Sequence, residues 1–184
     1  MLLIPGNRKL VDVLAEWGLH EAHGHLLGAL PIPLIPPAPP GHARDAAGVE
    51  LALRYRSPLV ARILQAGPRA VLTVEFEPDD RASLFIADAR PLPEWAAAIA
   101  KQSTYVSVLA EGSDPVTRQL VCAVHAPGGH LDNIQGPVVI YDGWHRGAAW
   151  WLQMEAGRRH TISADLILTE TLDPVLTAVP REGH

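Results

Sequence analysis

Val138-Val139-Ile140-Tyr141-Asp142-Gly143-Trp144-His145-Arg146-Gly147 decides the reading of this chain. Its first four residues are apolar and mostly β-branched, the signature of a buried strand. Gly147 to Ala156 reads as a helix, and Gly157 is suited to the position just past its end, with Arg158 and Arg159 beyond. Between strand and helix stands the tight Asp142-Gly143 turn. A strand, a glycine turn and a helix start leave backbone N–H groups without helical partners, and these carry partial positive charge. Such a turn is suited to holding an anion. Arg146 brings a planar fork that matches phosphate, and His145 a group that exchanges protons near neutral pH.

Working outward, the chain has 184 residues, 48% of them hydrophobic, enough for one compact domain with an extension. The formal net charge is −5, which argues against a strongly basic nucleic-acid binder and leaves room for a local basic site. The one cysteine, Cys122, has no partner within the chain for a disulfide, so a reducing compartment fits. Met1-Leu2-Leu3-Ile4 is too short for a signal sequence, and no apolar run reaches membrane-spanning length. The expectation is a soluble cytoplasmic protein without membrane insertion.

Leu10, Val13, Leu14 and Trp17 recur at helical spacing, with Asn7 as a start signal and Gly18 as a stop. His20, His23 and His25 follow; a solvated loop is favoured over a metal site, because their spacing is not that of a helical zinc motif. Residues 31–40 are rich in proline and read as a linker or surface arm, and the polar stretch 41–48 as its irregular continuation. Residues 1–48 are therefore taken as an N-terminal helix and Pro-rich arm, and residues 49–184 as the main domain. Ser57-Pro58 reads as a helix start, with Leu59, Val60, Ile63 and Leu64 as its apolar face. Val71 to Phe76 reads as a strand, Pro78-Asp79-Asp80 as a turn and Ser83 to Ala87 as the returning strand. Glu94 to Lys101 reads as a helix with Trp95 and Ile99 toward the core, and Tyr105 to Leu109 as a strand paired with Leu120 to Val124. Of the remaining polar residues, His130 and Asp132 are favoured as loop residues. Glu155, Asp165 and Glu170 are candidates for metal or proton chemistry, Glu155 and Glu170 being more often solvated. Trp150 and Trp151 point about a quarter turn apart on a helix; one enters the core, and the other, with Trp144, is a candidate stacking surface for a base.

The spacing resembles the ParB/sulfiredoxin superfamily, in which a Gly-x-x-Arg loop between a strand and a helix binds nucleotide phosphates. Sulfiredoxins carry Gly-Cys-His-Arg where this chain has Gly143-Trp144-His145-Arg146. The order around it is similar too. Arg90-Pro91-Leu92-Pro93 precedes a helix, a short strand, the loop, and then the strand Thr161 to Leu168. The resemblance covers the C-terminal half. It implies an α+β fold with a ParB/sulfiredoxin-like mixed sheet and flanking helices, here with an N-terminal helical, Pro-rich extension. It implies a phosphate or nucleotide site of Gly143, Trp144, His145, Arg146 and Arg90, with ATP as the ligand; for Arg90 a surface salt bridge stands as an equal alternative. The nucleophilic Cys of sulfiredoxins falls at Trp144; an indole is no thiolate, so sulfinic acid reduction is excluded.

Within the superfamily the chain resembles plasmid fertility-inhibition proteins of the Osa/FiwA type. That implies DNase and ATPase activity that blocks DNA transfer by conjugation or T-DNA delivery, with DNA, nucleotide and components of the transfer machinery as partners. His145, Arg146 and Asp142 would then carry the chemistry. His145 would move protons, Arg146 would hold the phosphate, and Asp142 would bind Mg²⁺ or orient a water. The alternative is a non-catalytic nucleotide-binding or protein-interaction module that inhibits a partner.

Overall fold

The computed structural model describes residues 1–26, 42–112, 120–158 and 160–173. The chain is α+β. Six strands form one mixed sheet: β1 (Leu2–Arg8), β2 (Pro68–Phe76), β3 (Leu84–Ile86), β4 (Leu120–His125), β5 (Gln135–Asp142) and β6 (Ile162–Thr169). Their order across the sheet is β1-β2-β6-β4-β5-β3. Two pairings are parallel, β4 with β6 and β3 with β5; the others are antiparallel. Two helices, α1 (Leu10–Leu26) and α2 (His42–Gln65), cover one face. There Val13, Trp17, Val60 and Ile63 pack on Val121, Ala123, Val139 and Ile167. Three more, α3 (Leu92–Ile99), α4 (Thr104–Glu111) and α5 (Trp144–Glu155), cover the other. There Leu92, Ala96, Val106 and Trp150 pack on Leu120, Cys122, Ile140 and Leu166. A sheet buried on both faces accounts for the near-continuous apolar runs of β4 and β6.

Several local expectations are corrected. Asn7 lies in β1, and α1 is capped instead by Asp12, whose carboxylate accepts from the Lys9 N–H at 2.9 Å. Gly18 does not end α1. It sits against α2, where a Cβ would fall 1.8 Å from the Gly48 carbonyl oxygen, so it is the absent side chain that lets the two helices touch. The segment with His20, His23 and His25 is therefore helix rather than loop. Residues 42–48 are helical as well. The Ser57-Pro58 start survives as a kink inside α2, with Arg56 at φ −128°, ψ 24°, where Pro58 has no N–H to give the preceding turn. The Pro-rich run 31–40 lies outside the described residues.

Tyr105 to Leu109 belongs to helix α4, not to a strand. Ser103 caps it by accepting from the Val106 N–H at 3.4 Å, Val106 is buried, and Tyr105 and Val108 stay exposed. An apolar run of this length fits either element, and the serine cap decides it. β3 does not return along β2. Both edges of β2 are taken by β1 and β6, and a 3₁₀ turn over Pro78–Ser83 carries the chain away to pair β3 with β5.

The central turn forms as its sequence predicts. β5 ends at Asp142, Gly143 takes a left-handed conformation (φ 87°, ψ 22°), and α5 begins at Trp144. Gly157 (φ 80°) closes α5. Its N–H donates to Met154 O and the Arg158 N–H to Gln153 O, both at 2.9 Å, the paired bonds of a left-handed helix end.

Candidate functional site

At the β5–α5 turn a cavity of about 420 Å³ opens between the two halves of the chain. Asp142, Gly143, Trp144, His145 and Arg146 form one wall. The helix pair adds His20 of α1, and Arg56 and Leu59 at and just after the α2 kink. Tyr105 of α4 and Tyr141 of β5 complete it. Five of the six residues singled out in the sequence are therefore together.

The sixth, Arg90, is absent from the lining. It is paired with Asp88 at the surface (Nε to Oδ2, 2.7 Å) and lies 4.7 Å over the Trp95 ring. Trp95 in turn meets Trp144 (6.3 Å, interplanar 86°) and His145 (6.0 Å) edge to face. Arg90 thus buttresses the loop from one ring away.

Each side chain of the loop has a definite setting. Trp144 donates its indole N–H to Ile140 O at 2.8 Å, which ties the first helical residue to the strand before it. Arg146 Nη2 donates to Asp142 Oδ2 at 3.2 Å, and both are largely buried. Gly143 offers no side-chain cap, so the first turn of α5 starts without one. His145 is exposed at the rim, 6.4 Å from the Tyr105 ring. Partial burial, helped by the adjacent Arg146, lowers its pKa below the usual 6.5. At neutral pH the imidazole is therefore uncharged and able to accept a proton.

Summed over the lining, two arginines and two histidines accompany one aspartate and three aromatic residues. That balance suits an anion carrying a flat ring. Asp142, the metal candidate, is engaged by Arg146. Among the described residues no group of three or more His, Cys, Asp or Glu side chains is placed to hold a metal ion. A Mg²⁺ ion at this loop would have Asp142 as its ligand and would compete there with Arg146.

Sequence reasoning passed over Arg56, Leu59 and Tyr141, and did not bring His20 or Tyr105 here. The only signal was Pro58, whose helix-breaking character marks the kink. The other polar candidates lie elsewhere. His130 and Asp132 are exposed in the segment before β5, at the end of that strand remote from Asp142. Glu155 pairs with Arg81, and Glu170 with Arg69. Trp150 is fully buried, donating to His160 O at 2.8 Å. Trp151 lies under Arg81 (4.8 Å) and, unlike Trp144, does not line the cavity. Among the described residues no helix is long and apolar enough to cross a membrane. No known family model matches the sequence, and no curated protein and no solved structure matches it.

Proposed function

We propose that this cavity binds a phosphate ester and that the protein is a hydrolase of such esters, acting on DNA and on ATP. The observation that carries the reading is that Arg146, in the first turn of a helix without a side-chain cap, and Arg56, at the α2 kink, line one cavity together with aromatic residues. Arg146 and the turn amides hold the phosphate, Arg56 joins them from the α2 kink, and Trp144 or Tyr105 meets the base. His145, uncharged near neutral pH, exchanges a proton with the ligand at the rim. Asp142 is the residue that would hold Mg²⁺, which would neutralise phosphate charge there. The resemblance to the ParB/sulfiredoxin superfamily supports the nucleotide. The further likeness to fertility-inhibition proteins supports DNA cleavage that blocks DNA transfer.

A second reading is a nucleotide-binding module without turnover that inhibits a partner. The Asp142–Arg146 ion pair favours it, because it occupies the carboxylate a reaction would use. One pair of measurements separates the two. Calorimetry with ATP should show Arg146→Ala weakened about ten- to a hundredfold, as the loss of a charge-assisted contact of roughly 1.5–3 kcal/mol requires. Unchanged affinity removes Arg146 from the site. Cleavage of labelled DNA and single-turnover ATP hydrolysis should fall in His145→Ala and Arg146→Ala; equal rates in all three proteins place the activity elsewhere and leave the binding module standing.

A further inference from the structure

Asp165 of β6 is a buried carboxylate that the phosphate site does not use. In the sheet register, Val121 of β4 lies opposite Asp165 on one side and opposite Asp142 on the other. The two carboxylates therefore flank one central strand. An irregularity in β5 brings this about. From Cys122↔Ile140 to Val121↔Asp142 the ladder advances one residue on β4 and two on β5. The extra residue breaks the alternation, so Tyr141 and Asp142 both serve the α1–α2 face.

Under α1 the carboxylates border a second, smaller pocket of about 150 Å³. It shares His20, Asp142 and Arg146 with the main cavity. Asp165 is 3% exposed. Its Oδ2 lies 3.3 Å from Arg8 Nη1, while its Oδ1 is buried and has no hydrogen-bond partner among the described residues. A buried carboxylate oxygen without a donor is costly, and a pocket of this size has room for water.

We propose that this small pocket holds the hydrolytic water and that Asp165 accepts its proton. The inference rests on the hydrolase reading above. The water oxygen forms a bond to phosphorus as the bond from phosphorus to the leaving oxygen breaks. The water proton passes to the Asp165 carboxylate, and the leaving oxygen is protonated from solvent. Arg146, on the wall common to both pockets, holds the phosphate between them.

The surroundings suit the task. Burial pushes the Asp165 pKa up to about 6, opposed by Arg8 and reinforced by Glu16. Arg8 comes from β1, Glu16 and His20 from α1, Asp142 from β5 and Arg146 from α5; the residue opposite on β2 is the neutral Thr73. A carboxylate with that value is ionised at neutral pH yet basic enough to take a proton.

The test compares wild type with Asp165→Asn, using Mg²⁺-ATP and labelled DNA. ATP affinity by calorimetry should stay within about threefold. Single-turnover hydrolysis should fall by about 10²- to 10⁴-fold, the contribution of a positioned base. The wild-type rate should rise with pH to a plateau through about 6, and that limb should vanish in the variant. Absence of turnover in wild type overturns the hydrolase reading and this inference with it. Full turnover in Asp165→Asn with the same pH limb overturns the inference alone. Should the variant not fold, NMR titration of the wild-type Asp165 carboxyl decides, and a midpoint at the ordinary carboxylate value refutes the assignment.

Discussion

Replacing Gly143 by alanine tests the turn on which the site depends, and Gly157 supplies an internal standard. Both glycines have positive φ, 87° and 80°. An L-residue there costs roughly 1–2 kcal/mol in backbone energy, offset by up to about 1 kcal/mol because alanine also restricts the unfolded chain. At Gly157 nothing lies within 4 Å of an added Cβ, so that net backbone cost of about 1 kcal/mol is the whole effect. At Gly143 the Cβ would lie 2.7 Å from Leu120 Cδ2 and 2.8 Å from Arg146 Nη2. The arginine tip can swing aside, but Leu120 is fully buried beneath the turn. Crowding a packed core adds about 1–3 kcal/mol. Gly143→Ala should therefore cost about 2–4 kcal/mol, and exceed Gly157→Ala by the crowding alone. Urea unfolding followed by tryptophan fluorescence and circular dichroism measures both. If the two substitutions cost the same, the turn does not press on Leu120 as described. If Gly143→Ala lowers stability yet leaves ATP affinity intact, the displaced Arg146 is not what holds the phosphate.

Asp173 accepts two hydrogen bonds from Arg62 Nη2 (2.7 and 2.6 Å) and one from the Tyr141 hydroxyl. Asp173→Ala should cost about 3 kcal/mol because it strands a mostly buried guanidinium, and Arg62→Met should recover much of that in a double-mutant cycle. Because the folded-state pKa of Asp165 is raised from 3.8 to about 6, its contribution to stability is full below about pH 4 and is lost as pH rises through about 6. Wild type minus Asp165→Asn, measured by urea unfolding between pH 4 and 8, should show that fall, on the order of 3 kcal/mol at most; a flat difference refutes it. Cys122 is fully buried, and burial holds its thiol well above its ordinary pKa. Alkylation followed by mass spectrometry should find it inert in the native protein and reactive in urea.

The turn was legible because each of its parts signals locally: a β-branched run, a glycine, and a helix closed by another glycine. Its position at the wall of a cavity was not. Arg56 and His20 reach the cavity only through the packing of α1 on α2, and nothing near them in sequence announces a helix pair touching at Gly18 and Gly48. The misreading of Tyr105 to Leu109 has the same origin. Five apolar or small residues satisfy strand and helix templates equally, and the deciding bond is a single serine cap. The pairing of β3 was illegible because a short turn after β2 implies a hairpin unless both edges of β2 are already filled. Asp165 stood out in the sequence as a candidate for metal or proton chemistry, but nothing there placed it beside the loop. Only the register beside Val121 and the extra residue in β5 bring it near Asp142.

The two margins of the sheet have a consequence for how copies of this protein meet. β1 forms one margin, and its pairing with β2 shifts between Ile4 and Arg8, where Pro5 has no N–H to offer an incoming strand. β3 forms the other and is three residues long. An interrupted margin and a very short one are poor templates for strand addition. Addition of a further strand by main-chain pairing is therefore disfavoured at both margins of the described sheet.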